Sequence, residues 1–587
     1  MPDSISYIDL LKRTLRLLDY TERRRSIALL AIILANSFVE ILGLAVVVPV
    51  IRIVVQPETI EANDYLHRAF NLAQEVGIDS HQGFLVLMCV LMIAAFLFKA
   101  IFGLAVNFSQ SRFSFAVAHR LSGQMWTYHF SQSLERMRTS NSGRILAEIN
   151  SWPVQFANAF MINGLMVVSE TTIILIIALG LLAYNPTIFL CIVCLLVLGS
   201  FAIRTATKKR LTAYGKIRQR LEPLSNTLIT NAIRGFLEVI TFRATEAVKS
   251  SFMRTRWEIF KVSSNASVLQ KMPSKLYEFL AVFVVGSSII VALIGGTPQN
   301  DFLELLTLLA ISAYRVMPSM SRINGAIMQM NGQNYLLDIM ELGQRHVATM
   351  QSNPTNRATS LKDIAIKIND LTLSYQESDT PVVEHLSKQF DAGKVHAIVG
   401  PSGCGKSTIV GALLGLHEPD SGHISVQCDG ETSVILGEDM NLSEWLFNVG
   451  FLSQNPFLFE GTVKDNLTLR VPNATIDEER VHRLIKALKL DECLGDNPLE
   501  FELQEGGANL SGGQQQRLAL LRALQTDRTV LILDEATSAL DSTLRNVVFE
   551  LLQARAKEGC NIVLVTHDAS LAAMCDDVLD LGKPQNP

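Results

Sequence analysis

Nine residues, Gly400-Pro401-Ser402-Gly403-Cys404-Gly405-Lys406-Ser407-Thr408, hold the clearest chemistry in the chain. The spacing G-x-x-x-x-G-K-[ST] suits a loop whose glycines let backbone N–H groups close around phosphate oxygens. Val395 to Val399 before it read as a buried strand and Thr408 to Leu416 after it as a helix, which aims a helix N-terminus at the phosphates. Lys406 is placed to reach the β- and γ-phosphates and Ser407 to hold Mg²⁺. By itself the loop says only that a nucleotide binds.

Further along, Val530-Leu531-Ile532-Leu533-Asp534-Glu535 is an apolar strand ending in two carboxylates, and α/β sheets bind their ligands at such strand ends. Asp534 is expected to position Mg²⁺ through water and Glu535 to polarise the attacking water as general base. Gln454, in Phe451-Leu452-Ser453-Gln454, follows another apolar strand and can reach both metal and water. His567 ends a third, Val563-Leu564-Val565-Thr566. An isolated histidine at a strand end is commonly structural, but this position also suits a γ-phosphate contact. Tyr375, upstream of the loop, is either an ordinary strand aromatic or a ring that stacks on adenine.

These residues need two kinds of scaffold. The chain has 587 residues, 49% of them hydrophobic and 18% charged, too apolar for an ordinary soluble enzyme of this size. The apolar excess lies in the first 335 residues, and the net charge of -5 gives no reason to expect a nucleic-acid partner. Hydropathy places spans near Ser26–Val55, Gly83–Phe108, Phe160–Tyr184, Thr187–Ala206, Tyr277–Gly296 and Phe302–Ile323, each at or above the ~20 residues a bilayer-crossing helix needs. Asn185-Pro186 divides an uncharged run too long for one span. Connections alternate in charge: Gln56 to Ser80 is acidic, whereas Arg112, Arg120, Arg136, Arg144, Lys208, Lys209 and Arg210 follow spans two and four. The positive-inside rule puts both termini and the long connections in the cytoplasm, and an even number of spans agrees with a nucleotide site on that side. Leu10, Leu11, Leu15 and Leu18 among Lys12, Arg13 and Arg16 read as an interfacial helix on the membrane surface. The expected domains are that helix at 1–25, a six-helix membrane domain at 26–340, a linker at 341–362 and the nucleotide domain at 363–587.

With Leu510-Ser511-Gly512-Gly513-Gln514, the sequence resembles the ATP-binding cassette (ABC) transporters, for this matches their signature loop. Ser538-Ala539-Leu540-Asp541 matches their D-loop, and the similarity runs from Ile364 to about Asp580. The resemblance implies a six-helix membrane domain of exporter type followed by an α/β P-loop NTPase, hydrolysing ATP with Mg²⁺. It implies that ATP lies between the P-loop of one cassette and Leu510 to Gln514 of another, with Asp541 at that junction. One chain has one P-loop and one signature loop, and no motif residue is degenerate, so a homodimer is expected. The bacterial inner membrane is the expected location.

Tyr314-Arg315-Val316-Met317-Pro318-Ser319, Glu40-Ile41-Leu42-Gly43-Leu44 and the polar loop Ile60 to Val76 are similar to flippases for lipid-linked oligosaccharides. Lys99 and Arg315 lie about 24 and 20 Å down their spans at ~1.5 Å per residue. Basic residues at that depth are costly unless they face water, a partner or an anionic substrate. Either they meet a pyrophosphate headgroup, or Lys99 snorkels or pairs with Glu40 and Arg315 pairs with Glu170. Multidrug, phospholipid and peptide export, and an ATP-gated membrane regulator, stay open as alternatives. The lack of an amino-terminal cysteine protease speaks against a peptide-processing exporter.

Overall fold

The computed structural model describes all residues except 1–6, 56–63, 76, 79, 133, 185, 296–298, 353–360, 375–379, 429–432, 472–473, 539 and 583–587. It divides into two compact units, residues 1–132 with 140–352, and 133–139 with 353–587.

The first unit is helical throughout. A short helix α1 (Tyr7–Arg16) leads into α2 (Tyr20–Val55), α3 (Asp64–Glu75) and the 50-residue α4 (His81–Phe130). After the short helix Leu134–Thr139 the chain is helical from Ser142 to Tyr184, with π segments Ala147–Ser151 and Ala157–Ile162 interrupting it before α5 (Asn163–Tyr184). Four more long helices follow, α6 (Pro186–Arg234), α7 (Thr245–Gly295), α8 (Gln299–Gly332) and α9 (Tyr335–Ser352), with the short helix Phe236–Thr241 between α6 and α7. The expected spans lie largely within α2, α4, α5, α6, α7 and α8, the third beginning in the second π segment and the fifth reaching Gly296, outside the described residues; α4, α6 and α7 run far beyond bilayer length. Among the described residues, three stretches are long and apolar enough to cross a membrane: Tyr20–Leu42, His81–Phe130 and Ser142–Gly180.

Two expectations shift. The apolar stripe of α1 is partly covered by protein: Leu10, Leu17 and Leu18 pack with Val117, Trp152, Phe156 and Leu336, while Ile8 and Leu15 stay exposed. Arg13 binds Glu341 and Asp338, and Arg120 forks onto Glu22 with both bonds at 2.8 Å, so these two bases serve internal pairs. Helix α9 extends to Ser352, so the first half of the expected linker is helix. Burial of Leu336, Leu337 and Met340 anchors that helix, and the polar stretch from Gln351 to Ser360 that suggested a linker lies almost wholly outside the described residues.

The second unit pairs an antiparallel sheet with a parallel one. Strands β1 (Ala365–Leu373), β2 (Val383–Phe390), β4 (Ser421–Gln427) and β5 (Val434–Ile435) form the antiparallel sheet in the order β2-β1-β4-β5. The parallel sheet, β11-β3-β10-β9-β6, is built from β3 (Val395–Val399), β6 (Val449–Leu452), β9 (Val530–Asp534), β10 (Asn561–Val565) and β11 (Asp577–Asp580). A two-stranded ribbon joins β7 (Gly461–Thr462) to β8 (Glu502–Leu503). Every residue of β9 and β10 is buried, which is why they read as unbroken apolar runs rather than alternating ones. Helices α10 (Lys406–Leu413), α11 (Gly512–Leu524) and α12 (Ser542–Lys557) start at the three motif loops.

Candidate ATP site

Parallel register makes the site. Val565 lies opposite both Asp534 and Ile398, and Leu452 opposite Leu533, so β3, β10, β9 and β6 end at one edge of the sheet. The P-loop, His567, Glu535 and Gln454 each begin where one of these strands stops.

Gly400, Gly403 and Gly405 have φ of 156°, 85° and 95°, a left-handed turn that side chains resist. A Cβ on Gly405 would press on Val383, whereas one on Gly403 would point into open space, where a ligand can approach the backbone. Gly405 caps α10, and Lys406 in its first turn is buried, with Nζ donating to the carbonyls of Gly400 and Pro401 at 2.9 Å each. Ser407 is exposed at the helix start and Thr408 is buried; Pro401 and Ser402 are exposed and Cys404 half-buried. The loop thus presents N–H groups, a held ammonium and a hydroxyl, which fits a magnesium-bound triphosphate.

Glu535 is the hub. Gln454 donates from Nε2 to its Oε2 at 2.9 Å, and His567 Nε2 lies 3.0 Å from its Oε1. Its φ is 53°, left-handed for a residue with a Cβ, and its N–H donates to Val565 O at 3.0 Å. Asp534 beside it is buried. Burial first, then the charge of Glu535, pushes its carboxyl above the ordinary value, while Lys406 and His567 pull the other way. A carboxyl in that state gains from a cation, so Ser407, Asp534 and Gln454 suit Mg²⁺.

The other expected residues are placed differently. Ser511 caps α11, its Oγ accepting from Gln514 N, while Gln514 Oε1 accepts from Ser511 N at 2.8 Å. Gln514 therefore folds back on its own helix start, and Gly512, with nothing near its Cβ position, leaves the helix N-terminus open; Gly513 is half-buried and Leu510 buried. Asp541 caps α12 by accepting from Leu544 N at 2.7 Å. Tyr375 lies outside the described residues.

Sequence reasoning missed Gln516, whose Nε2 donates to Glu535 O, and the pair of Arg545 with Asp568, the residue after His567. The run Gln514-Gln515-Gln516 was the available signal, since a polar residue on a buried helix face needs a partner.

In the helical unit the expected ion pairs exchange partners. Arg315 binds Glu40, not Glu170. Glu170 instead binds Arg322 at 2.6 Å and accepts from Ser319 Oγ at 2.6 Å. Ser319 and Arg322 lie four and seven residues after Arg315 on α8, on one face at successive turns, so the choice is one of height along the helix, which charge alone does not fix. Lys99 has its Nζ 5.4 Å from the centre of the Phe96 ring.

Residues 383–538 match the family model described as ABC transporter. A solved structure titled a bacterial Atm1-family ABC exporter with ATP bound superposes with a TM-score of 0.75, covering 96% of this chain and 95% of its own at 19% identity. The fold is that of an ABC exporter. An Arabidopsis thaliana protein, "ABC transporter B family member 29, chloroplastic", is 37% identical over 38% of this chain, which spans 34% of that protein's length. The "ATP-dependent lipid A-core flippase" of Xylella fastidiosa strain Temecula1 is 25% identical over 89% of this chain and 87% of its own length. A Lactococcus lactis "Lactococcin-G-processing and transport ATP-binding protein" is 29% identical over 61% of this chain and 50% of its own. Both parts of that fold, a helical unit and an α/β unit, are present in this chain.

Proposed function

We propose that this chain is an ATP-driven exporter that works as a homodimer in a membrane, the bacterial inner membrane being the expected one. Its cargo would be an amphipathic lipid-linked molecule, a lipid-linked oligosaccharide first among them, moved from the cytoplasmic to the outer side. The observation that carries the ATPase half is the convergence of Lys406, Asp534, Glu535, Gln454 and His567 on one sheet edge. The length and apolarity of the helices before it support the membrane half.

Each residue has a role. The P-loop N–H groups and the Lys406 ammonium would bind the phosphates, the ammonium exchanging loop carbonyls for phosphate oxygens. Ser407, Gln454 and Asp534 would hold Mg²⁺, which when bound neutralises charge on the phosphate oxygens. Glu535 would take a proton from the attacking water, with Gln454 and His567 fixing its two carboxylate oxygens. His567 would also meet the γ-phosphate. Ser511, Gly512 and Gly513 of the second copy would present a helix N-terminus to the same nucleotide. The span residues Lys99 and Arg315 are the proposed contacts for an anionic headgroup, with Arg315 leaving Glu40 to make them.

The substrate is tested by reconstituting the protein and measuring ATPase stimulation and flipping with lipid-linked sugars, phospholipids, peptides and drugs. Stimulation confined to lipid-linked sugars is expected. Stimulation by peptides or drugs alone would replace this reading with one of the other exporter types.

A further inference from the structure

Gln516 sits on α11, five residues after the Ser511 cap, and is 5% exposed. Its Nε2 donates to the main-chain carbonyl of Glu535 at 2.8 Å and to Ser538 Oγ at 3.2 Å. Ser538 Oγ in turn donates to that carbonyl at 3.1 Å. Glu535 is therefore held at both ends of its residue, through its N–H by β10 and through its carbonyl by the signature helix. The left-handed φ of 53° persists only where such bonds over-determine it. Turning that peptide would swing the carboxylate away from Gln454 and His567, which now flank it.

We infer that Gln516 is a positioning residue that ties the signature helix to the general base of its own cassette. A shift of the first turns of α11 moves the Glu535 carbonyl, and with it the aim of the carboxylate. The inference rests on the proposed role of Glu535 and on the signature loop engaging the nucleotide of the second copy. Through that tie, engagement of the signature loop at one nucleotide reaches the base at the other. Gln516 touches no substrate and acts only through Glu535.

The test uses the full chain in lipid nanodiscs with Gln516→Leu, which keeps similar bulk but donates nothing, and Gln516→Glu, which keeps shape but sets a carboxylate against the carbonyl. Both should lower kcat for ATP about tenfold to a hundredfold, as a misaimed catalytic group does. KM should stay within about twofold, and cooperativity in ATP should weaken. Added to Glu535→Gln, the Leu change should slow residual turnover by less than about twofold, because both act on one group. Wild-type kcat in the Leu variant, a loss that multiplies with Glu535→Gln, or loss of folding and ATP binding in both variants would overturn the inference. If Glu535→Gln itself hydrolyses ATP normally, the general-base assignment fails whatever Gln516 does. If Glu535→Gln is slow and the Gln516 variants are normal, only the positioning role fails.

Discussion

Asp534 and Glu535 are neighbours in sequence with different environments. Glu535 is half-buried with a donor from Gln454 and the His567 ring against it, whereas Asp534 is buried at the end of a central strand and its carboxyl is pushed upward. For a carboxyl raised on folding, the favourable contribution is complete below its unfolded value and is lost as pH rises through the folded one. At neutral pH the ligand-free protein therefore lacks that favourable contribution. Asp534→Asn should raise the thermal midpoint of ligand-free protein at pH 7 to 8, with the gain vanishing below about pH 4, near the ordinary carboxyl value. The same variant should lose Mg²⁺-dependent ATP hydrolysis. A midpoint at pH 7 to 8 equal to or below that of the wild type would show that Asp534 is already compensated.

Helix α8 is joined to α2 through Arg315 and Glu40 and to α5 through Arg322, Ser319 and Glu170. Removing one member of a partly buried pair strands the other, at a cost on the order of 3 kcal/mol. Arg315→Gln and Glu40→Gln should each lower the thermal midpoint in detergent, and the exchange Glu40→Arg with Arg315→Glu should restore most of it. An unchanged midpoint in both single variants would show that the pair adds no stability and leave Arg315 its proposed headgroup role alone. Pro318, inside α8 and close to these residues, removes one backbone donor from that helix. The ATP-site strands were legible because glycine spacing and apolar runs are local signals: Gly400 to Thr408 and Val530 to Glu535 lie where the sequence places them. The ion-pair partners were not, because Glu40, Glu170, Arg315 and Arg322 come from three helices whose rotation depends on packing. Nor was the capping role of Asp541 and Gln514, since the same residue types serve helix starts and ligands alike.

At the scale of the whole molecule, one chain supplies one P-loop and one open signature-helix N-terminus. A composite site made by two copies predicts a particular complementation. Lys406→Ala should abolish phosphate binding, and Ser511→Arg should leave ATP on the P-loop while blocking closure of the dimer. A mixed population should regain activity up to one working site per heterodimer, whereas each variant alone stays inactive. Normal hydrolysis by Ser511→Arg alone would mean that the signature loop does not complete a site. Close passage of α6 and α8 at Gly215, where a Cβ would collide with the Gly332 carbonyl, shows how little slack the helical unit has for independent motion at that crossing.

The central claim is that Glu535 drives ATP turnover that powers transport, and single-turnover hydrolysis by Glu535→Gln in proteoliposomes tests it most directly. ATP binding should persist while hydrolysis slows by at least ~10²-fold and flipping falls with it. Near wild-type hydrolysis in the folded, ATP-binding variant would contradict the account.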